Sequence, residues 1–211
     1  MSERLPHSHG EHPPQLERAV SHEPEPRELN PRIYVTRGLP LRTELTAGLW
    51  LDMARSPRDI EAEMYSALTD EEHAGNPLYI WDYRDYGAFD VTTGAIGLEG
   101  VDSIDTLSEI AIGIKEYGPA FAAWAKYNED DRQPLYHFAR AYKGHYESAA
   151  AFIREQLRPM AYEAILDRAM PQEIRPFVAV DYQAVAAQLE ADGVIVPLPA
   201  ENGVWIFSIQ A

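Results

Sequence analysis

Residues 52–131 hold eighteen Asp and Glu side chains against five Lys and Arg. Any fold of that segment must turn these groups to water, because an unpaired buried carboxylate is too costly to keep. The flanking segments are milder. Residues 1–31 carry six acids and three bases, residues 32–51 one acid and three bases, and residues 132–211 nine acids and seven bases. The formal charge of −16 over 211 residues therefore resides almost wholly in the central eighty. Such a chain is repelled by nucleic acid and anionic membrane and attracted to basic surfaces.

Hydrophobic patterning divides the chain further. Residues 1–31 hold six of the 16 prolines and four of the seven histidines, with no aromatic residue, and read as a disordered tail. His7, His9 and His12 lie in it without fixed geometry, so they read as solvated and not as metal ligands. Arg32–Arg37 and the alternation Ala47, Leu49, Leu51, Met53 predict two strands joined as a hairpin. Ser56-Pro57 opens a helix with Ile60, Met64 and Leu68 on one face, and Leu78–Arg84 predicts a third strand. Trp81 and Tyr83 within it are expected in the core, since a thin module needs their area. Gly87, Gly94, Gly97 and Gly100 mark a looser connection.

Leu107, Ile110, Ala111, Ile114 and Tyr117 then form a helical stripe, with Ser103 or Asp105 as cap and a break at Gly118-Pro119 before a second helix from Phe121 to Lys126. From Gln133 onward, Leu135, Phe138, Ala139 and Tyr142 share a helical face that Gly144 interrupts. Ser148 caps a helix carrying Phe152, Ile153 and Leu157. Asp181 caps another carrying Val185 and Leu189 and ending at Gly193. Val194–Leu198 and Val204–Ile209 flank Glu201-Asn-Gly203 as a hairpin. The order predicts an α+β fold in small segregated modules: a tail at 1–31, a β-rich module with one helix at 32–98, a helical module at 99–131, and helices plus a hairpin at 132–211.

Chemistry is mostly excluded. Without cysteine there is no disulfide scaffold, thiolate metal site or cysteine nucleophile. Phosphate loop, H-E-x-x-H and G-x-S-x-G motifs are all missing. Carboxylates such as Asp59, Glu61 and Glu63, or Asp82 and Asp85, could be offered as Mg²⁺ ligands of a hydrolase, but no lysine or histidine is placed beside them, and His137 and His145 lack partners in sequence. No catalytic residue, cofactor or metal is expected. Neither an 18-residue apolar run nor a secretory signal pattern occurs, so the chain reads as cytoplasmic.

The acids themselves are the candidate site: Asp52, Asp59, Glu61, Glu63, Asp70, Glu71, Glu72, Asp82, Asp85, Asp90, Glu99, Asp102, Asp105, Glu109, Glu116, Glu129, Asp130 and Asp131. Duplex DNA carries about one charge per 1.7 Å of axis, so eighteen carboxylates at that density correspond to about 30 Å of duplex, or roughly nine base pairs. A DNA mimic is one reading. An acidic adaptor for another basic DNA-handling protein is the alternative.

Several short stretches carry a family likeness. They are Ile33-Tyr-Val35 followed by Gly48-Leu-Trp-Leu51, then Ile80-Trp-Asp-Tyr-Arg-Asp-Tyr86, then Ser103-Ile-Asp-Thr-Leu107. Tyr142-Lys-Gly-His-Tyr-Glu-Ser148 leading to Phe152, and Val180-Asp-Tyr-Gln-Ala184 before Leu189, complete the set. In this order and spacing the chain from about residue 32 resembles the ArdA-type antirestriction proteins. The resemblance implies an elongated molecule of three small modules that is no enzyme. It implies a homodimer formed through the C-terminal module, with a surface that imitates bent B-form DNA. The implied partner is the DNA-binding groove of type I restriction–modification enzymes. Three features depart from the family pattern: the N-terminal tail, Arg154 and Arg158 in a stretch where the family tends to be acidic, and a net charge modest for a mimic.

Overall fold

A computed structural model of the chain describes residues 28–38, 48–68, 75–131 and 133–209. The tail expected over 1–31 lies outside these up to residue 27. The fold is α+β, with two small antiparallel sheets and intervening helices.

The first sheet has strand order β2-β1-β3-β4, from β1 (Arg32–Arg37), β2 (Gly48–Asp52), β3 (Leu78–Arg84) and β4 (Gly94–Ala95). Its inner face carries Ile33, Val35, Leu51 and Ile80, all essentially inaccessible. Opposite them, Asp52, Arg32 and Arg84 align in one cross-strand row and Trp50, Tyr34 and Asp82 in the next. The alternation slips once. Tyr34 pairs with Asp82 while Val35 pairs with Ile80, so Trp81 is the extra residue of a β-bulge. A bulge turns two successive side chains outward, and Trp81 is 48% exposed. The expectation of a buried Trp81 is thus wrong, because period-2 reasoning cannot see an inserted residue. Tyr83 does pack against the core. β4, two residues within the glycine-marked connection, pairs with Tyr79 and Ile80 and was not expected as a strand.

Helix α1 (Pro57–Ala67) begins as expected: Ser56 Oγ accepts from the Asp59 N–H at 3.2 Å, Pro57 stands at the first turn, and Ile60 and Met64 are buried against the sheet. α2 (Ile104–Tyr117) is capped by Ser103, whose Oγ accepts from Thr106 N–H at 3.2 Å. Gly118, at φ 72°, ends α2 and lets α3 (Pro119–Tyr127) fold back on it. The two helices approach closely, since a Cβ on Gly113 would lie 2.2 Å from the Phe121 ring.

Beyond a 3₁₀ turn (Gln133–His137) and the short α4 (Phe138–Ala141), the expected helical continuation is replaced by strand β5 (Tyr142–Tyr146). Leu135 and Phe138 are buried as expected, while Ala139 is exposed. Gly144 sits inside the strand next to a register shift, with φ 122°. It marks a strand irregularity where sequence alone suggested a break. α5 (Ala149–Leu157) is capped by Ser148, and buries Phe152 and Ile153. α6 (Tyr162–Ala169) was not anticipated. α7 (Tyr182–Ala191) is capped by Asp181, whose carboxylate accepts from Ala184 N–H at 3.0 Å. Its buried residue is Ala186, and the expected anchor Val185 is 36% exposed. β6 (Ile195–Ala200) and β7 (Gly203–Ser208) form the expected hairpin, and β5 adds to β7 to give the order β5-β7-β6.

Buried residues form two clusters. The larger runs from Ile33 through α1, α2 and α3 to Phe138 and Phe207, and so reaches into each of the three expected modules. Its far end is an aromatic stack, with Trp124 on Phe207 at 4.6 Å and Phe138 on Tyr142 at 5.2 Å. The smaller cluster consists of Phe152, Ile153, Ala186, Ile195 and Ile206. No helix among the described residues is long and apolar enough to cross a membrane.

Candidate functional site

Asp70, Glu71 and Glu72 lie outside the described residues. The other fifteen central acids are all described, and none is buried. Asp59, Glu61, Asp82, Asp90, Glu99, Asp105, Glu116, Glu129, Asp130 and Asp131 are exposed, and Asp52, Glu63, Asp85, Asp102 and Glu109 are half-buried.

Helix α2 shows how tightly the fold confines them. Ile104, Thr106, Leu107, Ser108, Ile110, Ala111, Gly113 and Ile114 are buried. At 100° per residue, the side chains left facing water along most of the helix fall within an arc of about 60°. That arc holds Asp105, Glu109, Ile112 and Glu116. At 1.5 Å per residue the three carboxylates span about 16 Å along the axis. Lys115 and Tyr117 are exposed only in the last turn. On α1, Asp59 and Glu61 face water, and Glu63 forms an ion pair with Arg55.

The loops contribute the rest. Asp90, Asp102 and Glu129, distant in sequence, line one depression of about 200 Å³ with Thr92 and Asn128. Asp90 is paired with Lys126, and that carboxylate holds the Lys126 ammonium above its usual pKa. The sequence did not indicate this convergence, because it depends on how the loop after α3 meets the one before α2.

Several acids also serve the backbone, a role the sequence reading missed. Asp52 accepts from Ala54 N–H at 3.0 Å, Asp82 from Tyr83 N–H at 2.8 Å, Asp102 from Thr92 N–H at 2.8 Å and Asp131 from Gln133 N–H at 3.0 Å. Asp59 accepts from the Ser56 hydroxyl at 2.6 Å. Two are linked to tyrosines: hydrogen bonding to Glu109 raises the Tyr136 pKa and hydrogen bonding to Glu116 raises that of Tyr117. Deeper in, burial first, and then the charges of Asp102 and Asp52, push the Tyr86 phenol well above its usual range. Its hydroxyl donates to Leu107 O at 3.2 Å. Among the described residues no group of three His, Asp or Glu is arranged to hold a metal ion.

The C-terminal segment presents the opposite surface. No residue of α6 is buried. Met160, Tyr162, Ile165, Ile174 and Phe177 are exposed, Phe177 at 87%. None of these was singled out from sequence, where the segment shows no strong apolar periodicity. Beside them an open cleft of about 860 Å³ is lined by His145, Arg154, Glu155, Arg158, Tyr162 and Tyr182, among others.

The family model for antirestriction protein (ArdA) matches residues 43–203. The chain belongs to the ArdA family of antirestriction proteins. No curated protein matches it significantly. The ArdA match takes in α1 to α7 and the start of the last strand, and leaves β1 outside. Of the eighteen candidate acids, every one lies within the matched region.

Proposed function

We propose that this ArdA protein is a DNA mimic, not an enzyme, that works in the cytoplasm by occupying the DNA-binding groove of type I restriction–modification enzymes. The observation that carries the reading is the surface position of all fifteen described central acids in a segment holding only five cations. One-for-one pairing within that segment would still leave most of its eighteen carboxylates unneutralised. They would meet the Lys and Arg side chains that otherwise neutralise DNA phosphates, with charge-assisted pairs to arginine giving much of the attraction and long-range fields speeding encounter. The modules at 32–98 and 99–131 would form the mimic arm of an elongated molecule. The exposed apolar residues between 160 and 177 support a homodimer through the C-terminal module, because large apolar side chains left in water so close in sequence gain by being covered by a partner.

The test is competition. A type I restriction enzyme bound to labelled cognate duplex is titrated with the protein at low salt. Displacement of the duplex is expected, weakening as salt rises, since exposed charges are screened within about 10 Å at 0.1 M. Failure to displace DNA at low salt would remove the mimic reading in favour of another basic partner.

A further inference from the structure

Where the end of α3 meets α4 and the end of β7 there is a cavity of about 280 Å³. Trp124 and Asn128 contribute to it from the first, His137, Arg140 and Ala141 from the second with its preceding turn, and Ile209 from the third. The lining is graded. Trp124 and Ala141 are buried, and the Trp124 indole stacks on Phe207 at 4.6 Å, so the aromatic stack of the main core backs the cavity. His137, Arg140 and Ile209 are exposed at its outer edge. Neither Arg140 nor His137 has a side-chain hydrogen bond or ion pair among the described residues.

The charge of this lining is opposite to that of its surroundings. No Asp or Glu is among the described residues that form it. Asn128 also borders the acidic depression of Asp90, Asp102 and Glu129, so it is the wall between the two, and its Nδ2 donates to Trp124 O at 2.8 Å, which fixes that wall. One permanent positive charge at the outer edge, over an apolar interior, selects an amphipathic anion: charged end outward on Arg140, apolar body inward. Arginine pairs with a carboxylate through two parallel N–H donors, and the imidazole of His137 can add a third. A phosphate dianion or a polyanion would find one fixed cation and be repelled by a chain of charge −16 in proportion to its own charge. The volume, at the lower end for ligand pockets, suits a small molecule and not a peptide.

We propose that this cavity is a binding site for a small monocarboxylate with an apolar body, its carboxylate on Arg140 and His137 and its body against Trp124 and Ile209. Because the walls come from α3, α4 and the end of β7, an occupant ties the last strand to the helices beside it.

Phenylacetate is a suitable probe. With ¹⁵N-labelled tryptophan in the full-length chain, the Trp124 indole signal should shift saturably on its addition, while those of Trp50 and Trp81, in the first sheet, stay in place. The neutral analogue phenylacetamide should bind about tenfold more weakly, since it lacks the charge that Arg140 meets. Arg140→Gln should weaken phenylacetate by about the same factor and leave phenylacetamide unchanged, and Arg140→Lys should restore part of the loss. Unmoved Trp50 and Trp81 signals in each variant report an intact fold. A Trp124 signal that does not respond to phenylacetate at about 10 mM overturns the proposal. So does equal binding of the acid and the amide, which would make the cavity merely apolar, and so does a saturable Trp124 shift with inorganic phosphate alone, which would make it a general anion site. No readout involves a restriction enzyme, so the result is independent of the mimic reading.

Discussion

The segment 52–131 and the segment 132–209 solve the same burial problem in opposite ways. In the first, α2 and α3 bury most of their apolar side chains, with Ile112, Tyr117 and Tyr127 left exposed, and the water-facing arc of α2 is mainly a narrow strip of carboxylates. In the second, the cluster around Phe152 and Ile206 is small, α6 buries nothing, and Ile165, Ile174 and Phe177 stay in water. The difference teaches where each kind of partner can act. A charged strip works by its fixed position and needs a rigid support. An apolar surface works by being covered, and is stable in isolation only at some cost in solubility.

The contrast can be broken most forcefully from the core outward. Phe121→Ala removes a ring that packs on Tyr117, Phe138 and the Gly113 notch. A loss of about 3–5 kcal/mol is expected from urea denaturation. The same truncation at Phe177, 87% exposed, should leave monomer stability within about 0.5 kcal/mol. If the two variants cost the same, the contrast in burial is false. At the next level, the proposed homodimer predicts that Ile165→Asp with Phe177→Asp leaves only monomer in sedimentation equilibrium, with an unchanged circular dichroism spectrum. An oligomeric state unaltered by the pair of changes would remove this surface from the proposed dimer contact.

Neutralising the α2 strip with Asp105→Asn, Glu109→Gln and Glu116→Gln together should weaken inhibition of a type I enzyme several-fold and reduce its salt dependence. Either Asp59→Ala or Glu63→Ala alone should leave inhibition nearly intact, because the energy is spread over many exposed groups. Abolition by one such change, in a folded protein, would contradict distributed charge.

A subtler effect tests the buried side of the same scaffold. Burial raises the Tyr86 pKa, so the folded protein retains that proton where the unfolded chain has lost it. Stability is therefore complete below the unfolded value of about 10 and falls as pH rises beyond it, by up to about 1.4 kcal/mol per pH unit. Tyr86→Phe should flatten that alkaline slope. It should cost about 1 kcal/mol at neutral pH for the lost hydrogen bond to Leu107 O. A slope unaltered by the substitution would assign the alkaline loss to other groups.

Most elements of the first half were legible because their signals are local: Ser56 and Ser103 as caps, Pro57 and Gly118-Pro119 as boundaries, β-branched and aromatic content in β1, alternation in β2. β4 was hidden because a two-residue strand has no period. β5 was hidden because Gly144 reads as punctuation, and its strand pairing is made with β7, some sixty residues away. Trp81 was misplaced by one inserted residue. For the candidate site, composition revealed which residues are anionic and that they must face water. It could not reveal that Asp90, Asp102 and Glu129 share one depression, or that Asp52, Asp82 and Asp131 each spend a lone pair on a neighbouring amide.

The missing side chain at Gly113 has a consequence for orientation. The Phe121 ring occupies the space a methyl group would fill, so it fits against α2 at one rotational setting of that helix. A turn of α2 about its own axis by a single residue would swing the strip through about 100° and drive a side chain into the ring. The notch thus works as a keyway: it sets the compass bearing of Asp105, Glu109 and Glu116 relative to everything packed behind them.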